Sequence, residues 1–237
     1  YSGMLFARTP HRNEVLVGLA ASLVIVTCAR SSGPLLGVVF GVISLVCWRV
    51  RSHTSFIRRG IVATLVILHF FIMKAPVWFL IARVSDIVGG GGYHRSLLID
   101  QFLNHFGSWW LAGTDDTSGW MPYELESGGT DLTNQFVSDG VNAGVIGMVF
   151  SILLVVRCFQ GVGLAMRSRS ILGVDAQKMT WAIGSTLVAS VAILFSVTYF
   201  DQMQVIWYFL VAGIASLASE TIHSVSEEFG TLDPVIM

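Results

Sequence analysis

Arg95 follows His94 directly and stands three residues after a run of four glycines, Gly89, Gly90, Gly91 and Gly92, in the stretch VGGGGYHRSLLID. A helix starting at the end of that run would expose unpaired N–H groups with a partial positive charge, a natural anion site. Glycines before it let backbone approach a phosphate without a Cβ in the way, and the Arg95 guanidinium adds a fork of donors suited to phosphate oxygens. The competing reading is a flexible hinge, the default for glycine-rich chain. A nucleotide P-loop is excluded, because no Gly-Lys-Ser/Thr follows. His94, beside the glycines and Arg95, is the better candidate for proton chemistry; His105 falls near an apolar face and reads as structural. Trp110, Trp120, Glu124 and Glu126 belong to an acidic, aromatic run that could bind sugars, with rings against apolar sugar faces and carboxylates accepting from hydroxyls. The plainer reading of that run is a solvated loop.

The element that positions this chemistry is a helix over 93–110. Leu98, Phe102, His105 or Phe106, and Trp109 recur at helical spacing, with Gln101, Asn104 and Ser108 on another face, the pattern of an amphipathic helix lying along a membrane. The surrounding composition explains the membrane. Of 237 residues, 54% are hydrophobic and 12% charged, with a mean hydropathy of +0.70. A soluble domain carries about twice that charged fraction, so lipid is the expected solvent. A net charge of -1 and the lack of a basic patch argue against nucleic acid. Cys28, Cys47 and Cys158 all lie in apolar stretches without metal-ligand spacing and read as small buried hydrophobes.

Six apolar segments stand out, at about 15–29, 34–48, 60–82, 141–160, 180–200 and 205–219. All should be helices, since an open sheet edge cannot be satisfied in hydrocarbon. The expected fold is therefore all-α: one polytopic transmembrane bundle of about six spans over 1–237, with a long external loop at 83–140 carrying the interfacial helix. Arg8 and Arg12, then Arg49, Arg51, Arg58 and Arg59, then Arg157, Arg167, Arg169 and Lys178 mark alternate ends as cytoplasmic. Both termini then lie inside. The loop between Arg83 and Gly140 holds eight acids against two bases, and its length points to function. Lys74, with His69 and Pro76, interrupts the third segment; it either snorkels outward or adds positive charge beneath a phosphate site. The chain opens on Tyr1, which suggests a C-terminal part of a longer protein.

The blocks GGGGYHRSLLIDQFLNHFGSWWLAGT, DLTNQFVSDGVNAGVIGMVF and CARSSGPLLGVVFGVISLV resemble, in order and membrane placement, the bacterial O-antigen polymerase/O-antigen ligase superfamily, over about 28–160. The first is similar to the opening of that family's large external loop. The second is similar to its HNxxLxxxxexGlxGlxxf block, and the third to its Ser/Arg turn opening a span. The resemblance implies a glycosyltransferase of the external face of the bacterial inner membrane. It would transfer polyprenyl-pyrophosphate-linked glycans to a glycan or lipid acceptor, without metal, nucleotide or other cofactor. Arg95 matches the loop arginine that holds the pyrophosphate, Asn134 matches the Asn of the HN pair, and Gly140, Gly144 and Gly147 fall near the block's glycines. The His of that pair is replaced by Thr133, whose hydroxyl cannot take a proton at neutral pH. In such chemistry the leaving pyrophosphate needs fixed positive groups, the role of Arg95 and the glycine amides. The acceptor hydroxyl needs a base, for which Asp131 and His94 are the candidates and Glu124 a further one. The alternatives are a lipid or sugar transporter or flippase, which broken helices would favour, and a non-catalytic membrane scaffold.

Overall fold

A computed structural model describes residues 12–28, 32–83, 91–122, 129–168 and 173–230, and every regular element among them is a helix. The helices are α1 (Arg12–Cys28), α2 (Ser32–Val46), α3 (Thr54–Ile67), α4 (Gly92–Asn104), α5 (Phe106–Trp109), α6 (Gln135–Ser168), α7 (Val174–Leu194) and α8 (Gln202–Gly230). Three helical stretches are long and apolar enough to cross a membrane: Gly33–Ile72, Gln135–Ser168 and Gln202–Thr221. The shorter Asn13–Cys28 is also apolar. These segments expose large apolar side chains throughout, such as Val17, Phe56, Phe71, Phe150 and Phe209. Lipid tails cover such surfaces without cost, whereas water would not.

The first of the three stretches is not one straight crossing. Its 40 residues would extend about 60 Å, twice the hydrocarbon thickness of roughly 30 Å. It bends through a 3-10 stretch at Cys47–His53, where Val50 leaves helical geometry at φ -110°, ψ 19°. The stretch between the second and third apolar segments is thus a helical bend running into α3. The third apolar segment is also broken. A π-turn at Leu68–Ile72 ends at extended Met73, and the chain resumes as a 3-10 turn at Val77–Phe79. Pro76 explains the stop, since it has no N–H to donate. His69 bridges the gap: its Nδ1 accepts from the Val77 N–H at 3.2 Å.

Helix packing rests on small residues, as expected where the solvent is as apolar as the core. Gly37 of α2 lies so close to α7 that a Cβ there would come within 2.6 Å of Ile193, and Gly41 faces Ala189. Further along, Ser44 Oγ donates to Ser185 Oγ at 3.1 Å, and Trp181 Nε1 donates to the Ser44 carbonyl at 2.9 Å. These pairs run in opposite order along the two chains, so α2 and α7 are antiparallel. Between α6 and α8, Gly161 faces Ile214 and Ala218, and Cys158, Leu187 and Ile214 form a buried cluster joining α6, α7 and α8. At one end the Tyr199 N–H, just past α7, donates to Gln135 Oε1 at the start of α6. At the other, Gln177 Nε2 reaches the Met166 carbonyl. The helices α6 and α7 are therefore antiparallel too.

That order gives the bundle two distinct ends. The bend with Arg49 and Arg51, the last turn of α6 with Arg167, and the first turn of α7 with Lys178 share one end. The start of α6, the turn after α7, and α4 share the other.

Candidate functional site

The site end is built on the amphipathic helix α4. The predicted apolar face is real: Leu98, Phe102 and Trp109 are buried with Trp120, Met121, Val137 and Val141 in one core. That face packs against the first turns of α6 and its own loop, not against lipid as expected from the pattern alone. The predicted single helix breaks at His105, where α5 begins. Phe102 and Trp109 stack at 3.9 Å, and Trp109 Nε1 donates to the Phe102 carbonyl at 2.7 Å. Full burial of one such side chain contributes about 1.5–3 kcal/mol. Ser96, fully buried, ties α4 to the third apolar segment: its hydroxyl accepts from the Ala82 N–H and lies 2.9 Å from the Gly92 carbonyl.

The loop beyond α5 is inserted into α6. Gly144 sits at φ 69°, ψ -170° inside the α6 run, a region open essentially to glycine alone. The helical bond from the Val145 N–H to the Val141 carbonyl is absent there. The Val145 N–H donates instead to the Trp110 carbonyl at 3.0 Å, and the Val141 carbonyl accepts from the Thr114 N–H at 2.7 Å. The loop thus supplies partners to two backbone groups at the gap its own insertion makes, as hydrocarbon surroundings demand. A Cβ on Gly144 would lie 2.6 Å from the Leu111 carbonyl oxygen. The break divides α6 into a short first half-helix, 135–143, and a longer remainder. Beyond it, Thr117 and Thr130 close the loop through paired bonds of 2.9 and 2.8 Å.

Against this frame the predicted residues take their places. Gly91 caps α4 from just outside it, with φ -76°, ψ 42°, a conformation any residue can adopt. Gly92 is buried in the first turn; Gly89, Gly90, Glu124 and Glu126 lie outside the described residues. Arg95 is half-buried, and its Nε donates to the Ser196 carbonyl at 3.2 Å. Burial lowers its pKa from the ordinary value, yet a guanidinium remains a cation at neutral pH. His94 Nε2 lies 3.4 Å from the main-chain carbonyl of Asp131. A carbonyl only accepts, so Nε2 is the donor in this contact. The pairing of His94 with Asp131 therefore runs through backbone, while the Asp131 side chain is exposed.

Asn134 is 1% exposed and is the N-cap of α6: its Oδ1 accepts from the Phe136 and Val137 N–H groups at 3.0 and 3.3 Å. Sequence reasoning assigned it to chemistry; the geometry gives its oxygen a capping job. Trp120 is 4% exposed and stacks on His105 at 5.0 Å, so its ring faces are taken up by the core. Trp110, 48% exposed, does offer a surface. Lys74 is exposed in the bend before Pro76.

The residues that sequence reasoning missed form the seam between α6 and the turn after α7. Gln135 Oε1 accepts from the Tyr199 N–H at 2.6 Å, and Gln135 Nε2 donates to Asp139 Oδ1 at 2.8 Å. Three buried oxygens here, Thr133 Oγ1, Asp139 Oδ2 and Ser196 Oγ, have no hydrogen-bond partner among the described residues. Tyr199 itself donates to the Ser190 carbonyl at 3.2 Å. The only sequence signal for the seam was the four-residue spacing of Gln135 and Asp139, which places both on one helix face. Comparison with protein-family models, curated proteins and solved structures returns no match.

Proposed function

We propose that this chain is the catalytic membrane region of a glycan polymerase or ligase of the O-antigen polymerase/ligase type. It transfers polyprenyl-pyrophosphate-linked glycans to a glycan or lipid acceptor at the external face of the bacterial inner membrane. The carrying observation is the gathering of Arg95, His94, Asp131 and the start of α6 at one end of the helices, opposite the end that holds Arg49, Arg51, Arg167 and Lys178. Placing that basic end in the cytoplasm puts the Arg95 end outside, where lipid-linked glycans are assembled. It also makes α2 and α6 run inward and α7 outward, as a six-span chain with cytoplasmic ends requires.

In this reading Arg95 and the amides of Gly91 and Gly92 hold the pyrophosphate, with Gly89 and Gly90 leading into them. The interaction strengthens as the sugar–phosphate bond breaks and charge accumulates on the leaving group. Trp110 offers a ring to a sugar face. His94 Nδ1 and Asp131 stand beside the site as acid–base groups.

A transporter is the second reading, because two apolar helical segments are interrupted, at 73–76 and at Gly144. Transporters use such breaks to bind cargo with unpaired backbone groups. Here the break at Gly144 is filled by the chain's own loop, which weakens that reading.

The test is glycan chain length in cells carrying the full-length protein, with Arg95→Ala beside wild type at matched expression. Loss of polymer, with lipid-linked single units accumulating, is expected. Unchanged glycans would show the glycine-Arg segment to be a hinge. Purified protein with lipid donor in vesicles then separates transfer from flipping.

A further inference from the structure

We infer that the Asp139 carboxylate accepts the proton of the attacking hydroxyl, with Gln135 as the residue that positions it; the inference rests on the transferase reading above. The problem it addresses is the missing base, since Thr133 stands where the resemblance implies a histidine. Among the described residues at this end, Asp139 combines one held carboxylate oxygen with one buried and unpartnered oxygen. One oxygen is fixed by Gln135 Nε2 at 2.8 Å, and Gln135 is itself fixed by the Tyr199 N–H at 2.6 Å. The other oxygen, Oδ2, is buried and has no partner among the described residues. A buried carboxylate oxygen without a donor is unfavourable for folding, and such groups call for an explanation in function. An incoming hydroxyl supplies the missing donor.

Two further hydroxyls belong to the same seam. Thr133 Oγ1 and Ser196 Oγ are also buried and have no partner among the described residues, and Ser196 is 2% exposed. Each can donate to or accept from a further hydroxyl. The carbonyl of Ser196 takes the Arg95 Nε–H, and three residues later the Tyr199 N–H holds Gln135. One short turn therefore links the group that binds the leaving pyrophosphate to the group that would receive the proton. Asp131, by contrast, is exposed and meets His94 through its main chain.

The step balances as follows. The acceptor O–H gives its proton to Asp139 Oδ2 as its oxygen bonds to the anomeric carbon. The bond from that carbon to the phosphate oxygen breaks, and the electron pair leaves with the pyrophosphate beside Arg95. Asp139 then releases the proton to water.

The test uses the full-length protein in membranes, with lipid-linked saccharide extracted from cells lacking the gene as donor. Asp139→Asn keeps an oxygen for Gln135 but cannot take a proton. Its turnover is expected to fall by about 10²-fold or more, within the range for a lost general base, with donor KM little changed. Asp139→Glu should keep measurable turnover. If Asp139→Asn retains most of the wild-type turnover, the inference is overturned while the transferase reading stands. If both variants lose activity only in step with loss of folded protein, Asp139 is structural and the inference is again overturned. Absence of transfer by the wild type sinks the transferase reading itself and this inference with it.

Discussion

At the scale of single residues, two groups that look alike in sequence separate by what holds them. Asn134 and Asp139 both sit at the start of α6, but Asn134 spends its oxygen on the helix's unpaired N–H groups, whereas Asp139 keeps one oxygen with no partner among the described residues. The capping role makes a definite prediction. Asn134→Ala should lower stability by about 1 kcal/mol, the usual cost of a lost N-cap. Asn134→Asp, an equally good cap, should restore it. Thermal melting of the purified variants checks both. If activity follows the melts and returns with Asp, the side chain acts by holding the start of α6; if Asp remains inactive at full stability, the amide has a direct role. Arg95 is different again: it is half-buried against the Ser196 carbonyl, so its charge is oriented by the turn after α7, an element more than a hundred residues away in sequence.

At the scale of elements, the amphipathic helix was legible and the break in α6 was not. Leu98, Phe102 and Trp109 recur at the period of a helix, and that period survives whatever covers the face. The pattern could not say that protein would cover it, because an apolar stripe reads the same against lipid or core. The ends of α6 were misjudged for a similar reason. Hydropathy marks the 141–160 stretch, yet the helix runs from Gln135 to Ser168, its polar first turns being stabilised by Asn134 and the Gln135–Asp139 pair. The break at Gly144 depends on a loop thirty residues upstream, and no local signal distinguishes it from Gly147, three residues on. The consequence is testable. Gly144→Ala meets a glycine-only backbone region, costing of order 1–3 kcal/mol, and adds a contact of 2.6 Å with the Leu111 carbonyl oxygen. The variant should re-form a continuous α6 and expel 110–114. Faster proteolysis within 110–122 is the expected result; unchanged cleavage would mean that the loop is held by the Trp109–Trp120 core alone.

At the scale of the whole molecule, the proposed chemistry depends on which end of the helices faces the cytoplasm. Packing fixes the relative directions: α2 and α7 are antiparallel through Gly37–Ile193 and Ser44–Ser185, and α6 and α7 through Gln135–Tyr199 and Gln177–Met166. Once one end is located, the others follow. Two exposed acids report on it, Asp115 in the loop that enters α6 and Asp175 in the first turn of α7. In full-length protein whose Cys28, Cys47 and Cys158 have been replaced, Asp115→Cys should react with a membrane-impermeant maleimide on intact cells. Asp175→Cys should react only after the membrane is opened. The reverse pattern would place Arg95 and Asp139 in the cytoplasm, away from lipid-linked glycans awaiting polymerisation, and the transferase reading would fail on topology before any assay of chemistry. Labelling of both from outside would mean that α6 and α7 do not cross, and that their exposed apolar faces meet something other than lipid.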